Sequence, residues 1–211
     1  MDDFTASRHG SHIVRKEREL YQIYDSFEKD VSEYKQGALC RKGCSFCCTF
    51  MGNVDTTTLE ALIIRKRMTS LSPDENTLLS SRIEKDRAEK EMGRKSPCPF
   101  LNERSACIIY DVRPFSCRQL YSLRECEGTG ATLHRQAYEL SRKAITRIQQ
   151  VDATGYSGHL SSILHLMEDP RLRELYVMEK LEPAHIREFG STHGIVINSR
   201  AQNRRKASEK R

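Results

Sequence analysis

The chain has no tryptophan, and aromatic residues make up only 7% of it. A surface that stacks nucleic-acid bases needs aromatics interleaved with basic residues, and no basic stretch here has them. Long apolar runs are missing as well. The longest span a few residues, such as ALII at 61–64, against the roughly 20 that a membrane-crossing helix requires. The opening MDDFTASRHGSHIVRKEREL starts acidic and holds no apolar leader segment. These absences set the expectation of a cytoplasmic chain with neither a membrane nor nucleic acid as partner. In that compartment thiols stay reduced, and clustered cysteines read as metal ligands or catalytic groups rather than disulfides.

What is present begins with size. At 211 residues the chain is long enough for one domain with a proper core. With 37% hydrophobic and 30% charged residues it is polar for a globular protein, a balance that suits helices. The formal charge of +6 owes much to the end of the chain, where RAQNRRKASEKR has six basic residues against one Glu. The expected organisation is a disordered N-terminus over 1–11, a single domain over 12–190, and an extended basic tail over 191–211. Within the domain a cysteine-cluster module takes about 37–126, and helices the remainder.

Leu20, Tyr24, Phe27, Val31 and Tyr34 step by four and three, one face of a long amphipathic helix over about 12–36 that Gly37 stops. DTTTLEALIIRKRMTSL predicts a second helix opening on Thr56 or Thr57, with Leu59, Leu62 and Ile63 inward. Ser72-Pro73-Asp74-Glu75 opens a third, with Ser as N-cap, Pro at the first position and Glu closing a capping box, running to about Met92. The segment 96–130 has three prolines and no helical period, and reads as a loop-rich module with a short β-like run at Cys107–Tyr110. Helices are expected again over 131–150, about 157–168 and 171–181, with a turn near 184–189. Leu133, Ala137, Leu140, Ala144 and Ile148 form the stripe of the first of these. IVIN at 195–198 is a short strand or an extended tail. The fold class is mostly α: a helical domain with an irregular cysteine-rich metal-binding loop module.

The eight cysteines all fall between positions 40 and 126. Cys40, Cys44, Cys47 and Cys48 come first, and Cys98, Cys107, Cys117 and Cys126 follow some fifty residues later. Thiolates are soft ligands suited to zinc and to iron–sulfur clusters, and four complete either centre. Cys44 and Cys47 have the spacing of a knuckle that turns two sulfurs onto one metal. Cys48 does not easily join Cys47 on a single ion, because adjacent side chains diverge. It binds a different metal, binds a different iron of one cluster, or is simply buried. A zinc ribbon wants two close pairs, whereas one pair followed by scattered single cysteines suits a compact cluster, and Cys98-Pro99 has the Cys-Pro found in ferredoxin-like runs.

CRKGCSFCC, followed by CPFLNERSACIIYDVRPFSCR, resembles the zinc- or iron-chelating cysteine-cluster family labelled CxxCxxCC, the YkgJ-like proteins. Cys98-Pro99-Phe100-Leu101, Cys107-Ile108-Ile109-Tyr110 and Arg113-Pro114-Phe115-Ser116-Cys117-Arg118 supply the second half of its pattern in order. The likeness covers about 37–125. The first gap has three residues where the label has two, which leaves the pairing of sulfurs open, and Cys126 falls outside the motif. The resemblance implies metal or cluster binding through Cys40, Cys44, Cys47, Cys48, Cys98, Cys107 and Cys117. It brings no general reaction with it, although a relative of the domain occurs in a lysine methylase that modifies flagellin.

Around these ligands, Arg113 and Arg118 are candidates to offset thiolate charge and hydrogen-bond near sulfur, or else to pair with Asp111 or Glu125. Pro114 fixes a turn that aims Cys117 and pushes Arg113 extended. Phe100, Leu101 and Tyr110 are candidates to wall the centre from water. Cys40, Cys44 and Cys47, with Phe46 before the last, also match the spacing of radical S-adenosylmethionine enzymes, but the alternating βα pattern of that class is missing. His159 and His165 are poor joint ligands, and His159 reads as a cap or core residue. Two readings remain. One is a protein holding a 4Fe-4S cluster or zinc with a redox or accessory role toward a partner protein. The other is a zinc-stapled interaction protein.

Overall fold

An apolar stripe organises the first helix, α1 (Asp3–Asp30), burying Leu20, Tyr24 and Phe27 along one face, with Val31 buried just past its end. The computed structural model describes residues 3–40, 43–51, 54–126 and 130–193. α1 begins well ahead of position 12, so most of the segment expected to lack structure is helical. Once the stripe is docked, each further N-terminal residue adds a hydrogen bond to an existing helix, and Gly10 opposes this by only about 1 kcal/mol. A 3-10 turn at Glu33–Lys35 finishes the segment, and Gly37, with φ +78°, turns the chain away in a conformation that favours glycine.

The next two helices start where their caps dictate. α2 (Thr58–Met68) is capped by Thr57 and α3 (Pro73–Glu91) by Ser72, each in a reciprocal capping box, with Glu60 and Glu75 as the returning carboxylates. After the cysteine-rich loops come α4 (Phe115–Arg118), α5 (Arg135–Val151), α6 (Leu160–Glu168), α7 (Pro170–Val177) and α8 (Pro183–His193). α5 buries Ala137, Ala144 and Ile148 and lies along α1. α6 is buried almost all round, as a helix apolar on every side must be, and meets α2, α3 and α7. The fold is mostly α, as expected.

The sheet is a two-stranded ribbon that the sequence pattern does not announce. β1 (Asp55–Thr57) pairs antiparallel with β2 (Ser157–His159), with Thr56 opposite Gly158. The helix expected from about 157 therefore starts at Leu160, with His159 at its N-cap position. Just before β2, the chain folds around a buried acid. Asp152 accepts from Thr58 Oγ1 at 2.8 Å, Leu59 N at 3.1 Å and Tyr176 Oη at 2.7 Å, and Lys16 Nζ lies 3.9 Å away. One carboxylate thus joins α1, α2, α5 and α7. Among the described residues no helix is long and apolar enough to cross a membrane. IVIN at 195–198 and most of the basic tail lie outside the described residues.

Candidate metal centre

The first cysteine group sits on a tight loop between α1 and β1. Gly43, at φ +91°, adopts a left-handed conformation immediately before Cys44. The chain then winds into a π-helical turn, Cys47–Met51, entered by hydrogen bonds from Thr49 N and Thr49 Oγ1 to Ser45 O at 2.9 and 3.0 Å. Single π-turns are rare and concentrate at functional sites. Here the turn carries Cys47 and Cys48 on successive residues, and the rings of Phe46 and Phe50 meet at a tilt with centroids 4.9 Å apart.

The second group is mounted on short loops braced from both sides. Cys98 N donates to Cys48 O at 2.7 Å, which joins the two cysteine segments directly. Leu101 and Cys107 form a single antiparallel bridge, closed by a tight turn. Asn102 Oδ1 accepts from Arg104 N and Ala106 N at 3.0 and 2.9 Å, and Ser105 takes φ 56°. Arg113 and Pro114 are both extended, at ψ 142° and 162°, and α4 begins at once. Its first N–H, that of Phe115, donates to Glu60 Oε1 at 2.7 Å, and Ser116 Oγ donates to Asp55 O at 2.6 Å. Cys117 is thereby tied to the start of α2 and to β1.

The eight thiols are all free, with Cys40 and Cys44 exposed and the other six half-buried. Burial pushes the Cys40 thiol up, with the Ser122 backbone opposing and the neighbouring Cys44 and Cys126 adding to it. Leu39 N meanwhile donates to Ser122 O at 2.8 Å, holding that segment alongside. Cys47 lies in the field of Cys126, Cys40, Cys48 and Cys44. Cys98, Cys107 and Cys117 lie in the field of Cys48, which itself feels Cys44, and Cys117 also feels Cys98 and Cys107. Backbone N–H groups of Phe100 and Ile109 point at Cys98 and Cys107, each two residues past its sulfur.

Burial, with neighbouring thiolates adding to it, pushes the Cys47 thiol up to about 11. Burial pushes Cys98 up to about 12, against the hydrogen bond from Phe100. Cys117 is raised well above the ordinary range for the same first reason. Such thiols are costly to ionise alone, and a soft cation amid them supplies the compensating charge. The donor set therefore fits zinc or iron, since both take thiolates in fours. Among the described residues, no three Cys, His, Asp or Glu side chains already stand close enough together to hold an ion. The sulfurs are neighbours rather than a closed coordination shell.

The other expected site residues divide. Arg113 stacks on the Tyr110 ring at 3.7 Å, and its charge stabilises the thiolates of Cys107 and Cys117. Arg118 makes its contacts away from the thiols, with a ring and with backbone carbonyls. Its guanidinium lies 4.4 Å from the Tyr24 ring and donates to Arg113 O and Asp111 O at 2.9 and 2.7 Å. Neither expectation for Arg118, thiolate partner or side-chain ion pair, describes that arrangement; the backbone bends around it. Tyr110 is 62% exposed and does not wall the cysteines, whereas Phe100 is fully buried.

One residue near the sulfurs, Asp86, escaped the sequence reading, and His159, expected as a cap or core residue, lies beside it. Cys47, Cys48 and Cys98 line a small cavity of about 10 Å³ together with Asp86 and His159. Asp86 is 4% exposed and accepts from Ser96 Oγ and Ser161 Oγ, with Lys90 Nζ and His159 Nε2 each 3.8 Å away. Its signal was available, because Leu79, Ile83 and Asp86 share one helical face and an acid on an apolar stripe calls for buried partners.

Eight free thiols gathered on loops of a helical scaffold are the donor set of a cysteine-cluster metal protein, and comparison with known proteins agrees. The model of the family CxxCxxCC, described as "Putative zinc- or iron-chelating domain", matches residues 39–151, more than half of the chain. The chain belongs to this family. No curated protein and no solved structure matches it.

Proposed function

We propose that the chain holds an iron–sulfur cluster through its cysteine thiolates and exchanges electrons with a partner protein. The observation that carries the reading is the gathering of eight free thiols on neighbouring loops, with backbone N–H groups beside two of them. Hydrogen bonds to sulfur, burial and nearby charge are what set a cluster's potential, and Phe100 N–H, Ile109 N–H and the Arg113 charge are placed to do so. The exposure of Cys40 and Cys44, with Leu39 and Phe50 exposed beside them, supports a centre close to the surface where a partner can approach. The two-stranded ribbon among the described residues is no βα barrel, which counts against a radical S-adenosylmethionine enzyme.

Anaerobic purification followed by iron, sulfide and zinc analysis tests this, with a visible spectrum on the same sample. The expected result is a brown protein containing iron and acid-labile sulfide, with a broad band that bleaches on reduction. A colourless protein with stoichiometric zinc would overturn the redox reading and make the cysteines a structural staple.

A further inference from the structure

We propose that Asp86 is a positioning residue of the metal centre: through Ser96 it holds the segment carrying Cys98 at the cavity that Cys47 and Cys48 also line. The proposal rests on the metal-binding reading above and names what sets one of its thiols in place.

Local chemistry brings the parts together. Gly93, at φ +68°, closes α3, with Gly93 N and Arg94 N donating back to Lys90 O and Glu89 O at 2.9 and 2.8 Å. A left-handed helix end of this kind turns the chain back. Ser96 returns beside α3, and its hydroxyl donates to Asp86 Oδ1. Two residues on, Cys98 N donates to Cys48 O at 2.7 Å. The Cys98 segment is thus held at two points, once by the helix and once by the π-helical turn. The other oxygen of Asp86 accepts from Ser161 Oγ, in the first turn of α6.

A carboxylate only 4% exposed, kept for its charge, belongs in a close ion pair. Here Lys90 Nζ and His159 Nε2 both stand 3.8 Å away, and the hydrogen bonds go to the two serines. Asp86 therefore works as a cross-link. It also lines the cavity of about 10 Å³ with Cys47, Cys48, Cys98 and His159. That is room for one water-sized occupant, far below the roughly 300 Å³ at which substrate pockets begin. The space is scaled to an ion. Among the described residues no three donor side chains yet stand close enough to hold one, so loading draws the loops in. Metal–ligand distances hold to within about 0.2 Å, and a thiol fastened to a packed helix gives the moving ones a fixed reference.

Zinc titration of the metal-free full-length chain, in competition with a chromophoric chelator, tests this. Ser96→Ala and Ser161→Ala each remove one hydroxyl from the same carboxylate, but only the first releases the Cys98 segment. Ser96→Ala is expected to weaken zinc binding about 10- to 100-fold, as loss of an outer partner of a metal ligand does, with Ser161→Ala within about twofold of wild type. Asp86→Ala should lose as much as Ser96→Ala, and adding Ser96→Ala to it should cost nothing more. Asp86→Asn should restore most of the affinity, because an amide accepts from one serine and donates to the other. Equal losses in the two serine variants would overturn the proposal, since they mark a general effect on the fold. So would wild-type affinity in a folded Ser96→Ala. If Asp86→Ala does not fold, the serine pair decides alone. A wild-type chain that takes up neither zinc nor iron would refute metal binding itself, and this inference with it.

Discussion

Replacing Glu60 by glutamine tests whether one buried carboxylate holds the cysteine loops onto the helices. Glu60 is 4% exposed. Its Oε1 accepts from Tyr24 Oη at 2.6 Å and from Phe115 N at 2.7 Å. Its Oε2 accepts from Thr57 N at 2.8 Å and from Thr57 Oγ1 at 3.0 Å. Glutamine keeps the length but offers one acceptor oxygen, turning an NH2 toward the other pair of donors. The hydroxyls of Tyr24 and Thr57 can rotate and accept from it; the backbone N–H groups of Phe115 and Thr57 cannot. In either orientation one buried N–H loses its acceptor. That costs about 1–3 kcal/mol, and the surviving bonds fall from charge-assisted to neutral for about 1 kcal/mol more. The expected loss is about 2–4 kcal/mol, read from urea unfolding followed by far-ultraviolet circular dichroism. Cys117, carried on the helix that Glu60 anchors, should also become more reactive to iodoacetamide in the loaded chain. A stability change under about 0.5 kcal/mol, the range of an ordinary surface substitution, with Cys117 unchanged, would refute the reasoning.

Three further outcomes are expected. Gly155→Ala would set a Cβ 2.1 Å from Asp152 Oδ2 and 2.3 Å from Thr58 Oγ1; displacing that carboxylate should cost about 3 kcal/mol or more in urea unfolding, and an unshifted midpoint would contradict the packing. Glu179 is held down to about 2, first by the hydrogen bond from Lys16 and then by His12. Its folded-state value lies below its ordinary 4.5, so its contribution is present above that pH and fades as pH falls toward 2. Glu179→Gln should therefore flatten that part of the acid-unfolding curve, and a curve identical to wild type would exclude the link. Chelation of the metal should raise amide hydrogen exchange over 43–51 and 98–117 while α1, α5 and α6 stay protected; uniform loss of protection would mean that the metal holds the whole fold.

Much of the helical frame could be read from local chemistry. Ser72-Pro73 and the Thr57–Glu60 pair mark helix starts because capping is a property of four consecutive residues, and α3 ends at Glu91 close to the expected Met92. The α5 stripe was equally plain, since Ala137, Ala144 and Ile148 repeat at helical spacing. The β1–β2 ribbon was not legible. Three residues on each side are too few to show alternation, and the partners lie a hundred positions apart. The same holds at the sulfurs. That Cys40 and Cys44 belong together follows from spacing, but the nearness of Cys126 depends on the Leu39–Ser122 pairing, which no motif encodes. Arg118 looked like a thiolate partner because it follows Cys117, yet a helical turn sends neighbours in different directions, and its place over Tyr24 is set by tertiary packing.

The packing of α6 bears on what is inherited in this family. The matched stretch, 39–151, ends before β2, and it omits α1 and α6. Yet β1 has its partner in β2, α5 lies on α1, and α2 and α3 both rest on α6. A segment cut to the matched residues would carry every cysteine and expose the apolar faces that those missing elements cover. In this chain the matched stretch is therefore a ligand-bearing half-core, and α1, β2 and α6, which lie outside it, complete the other half.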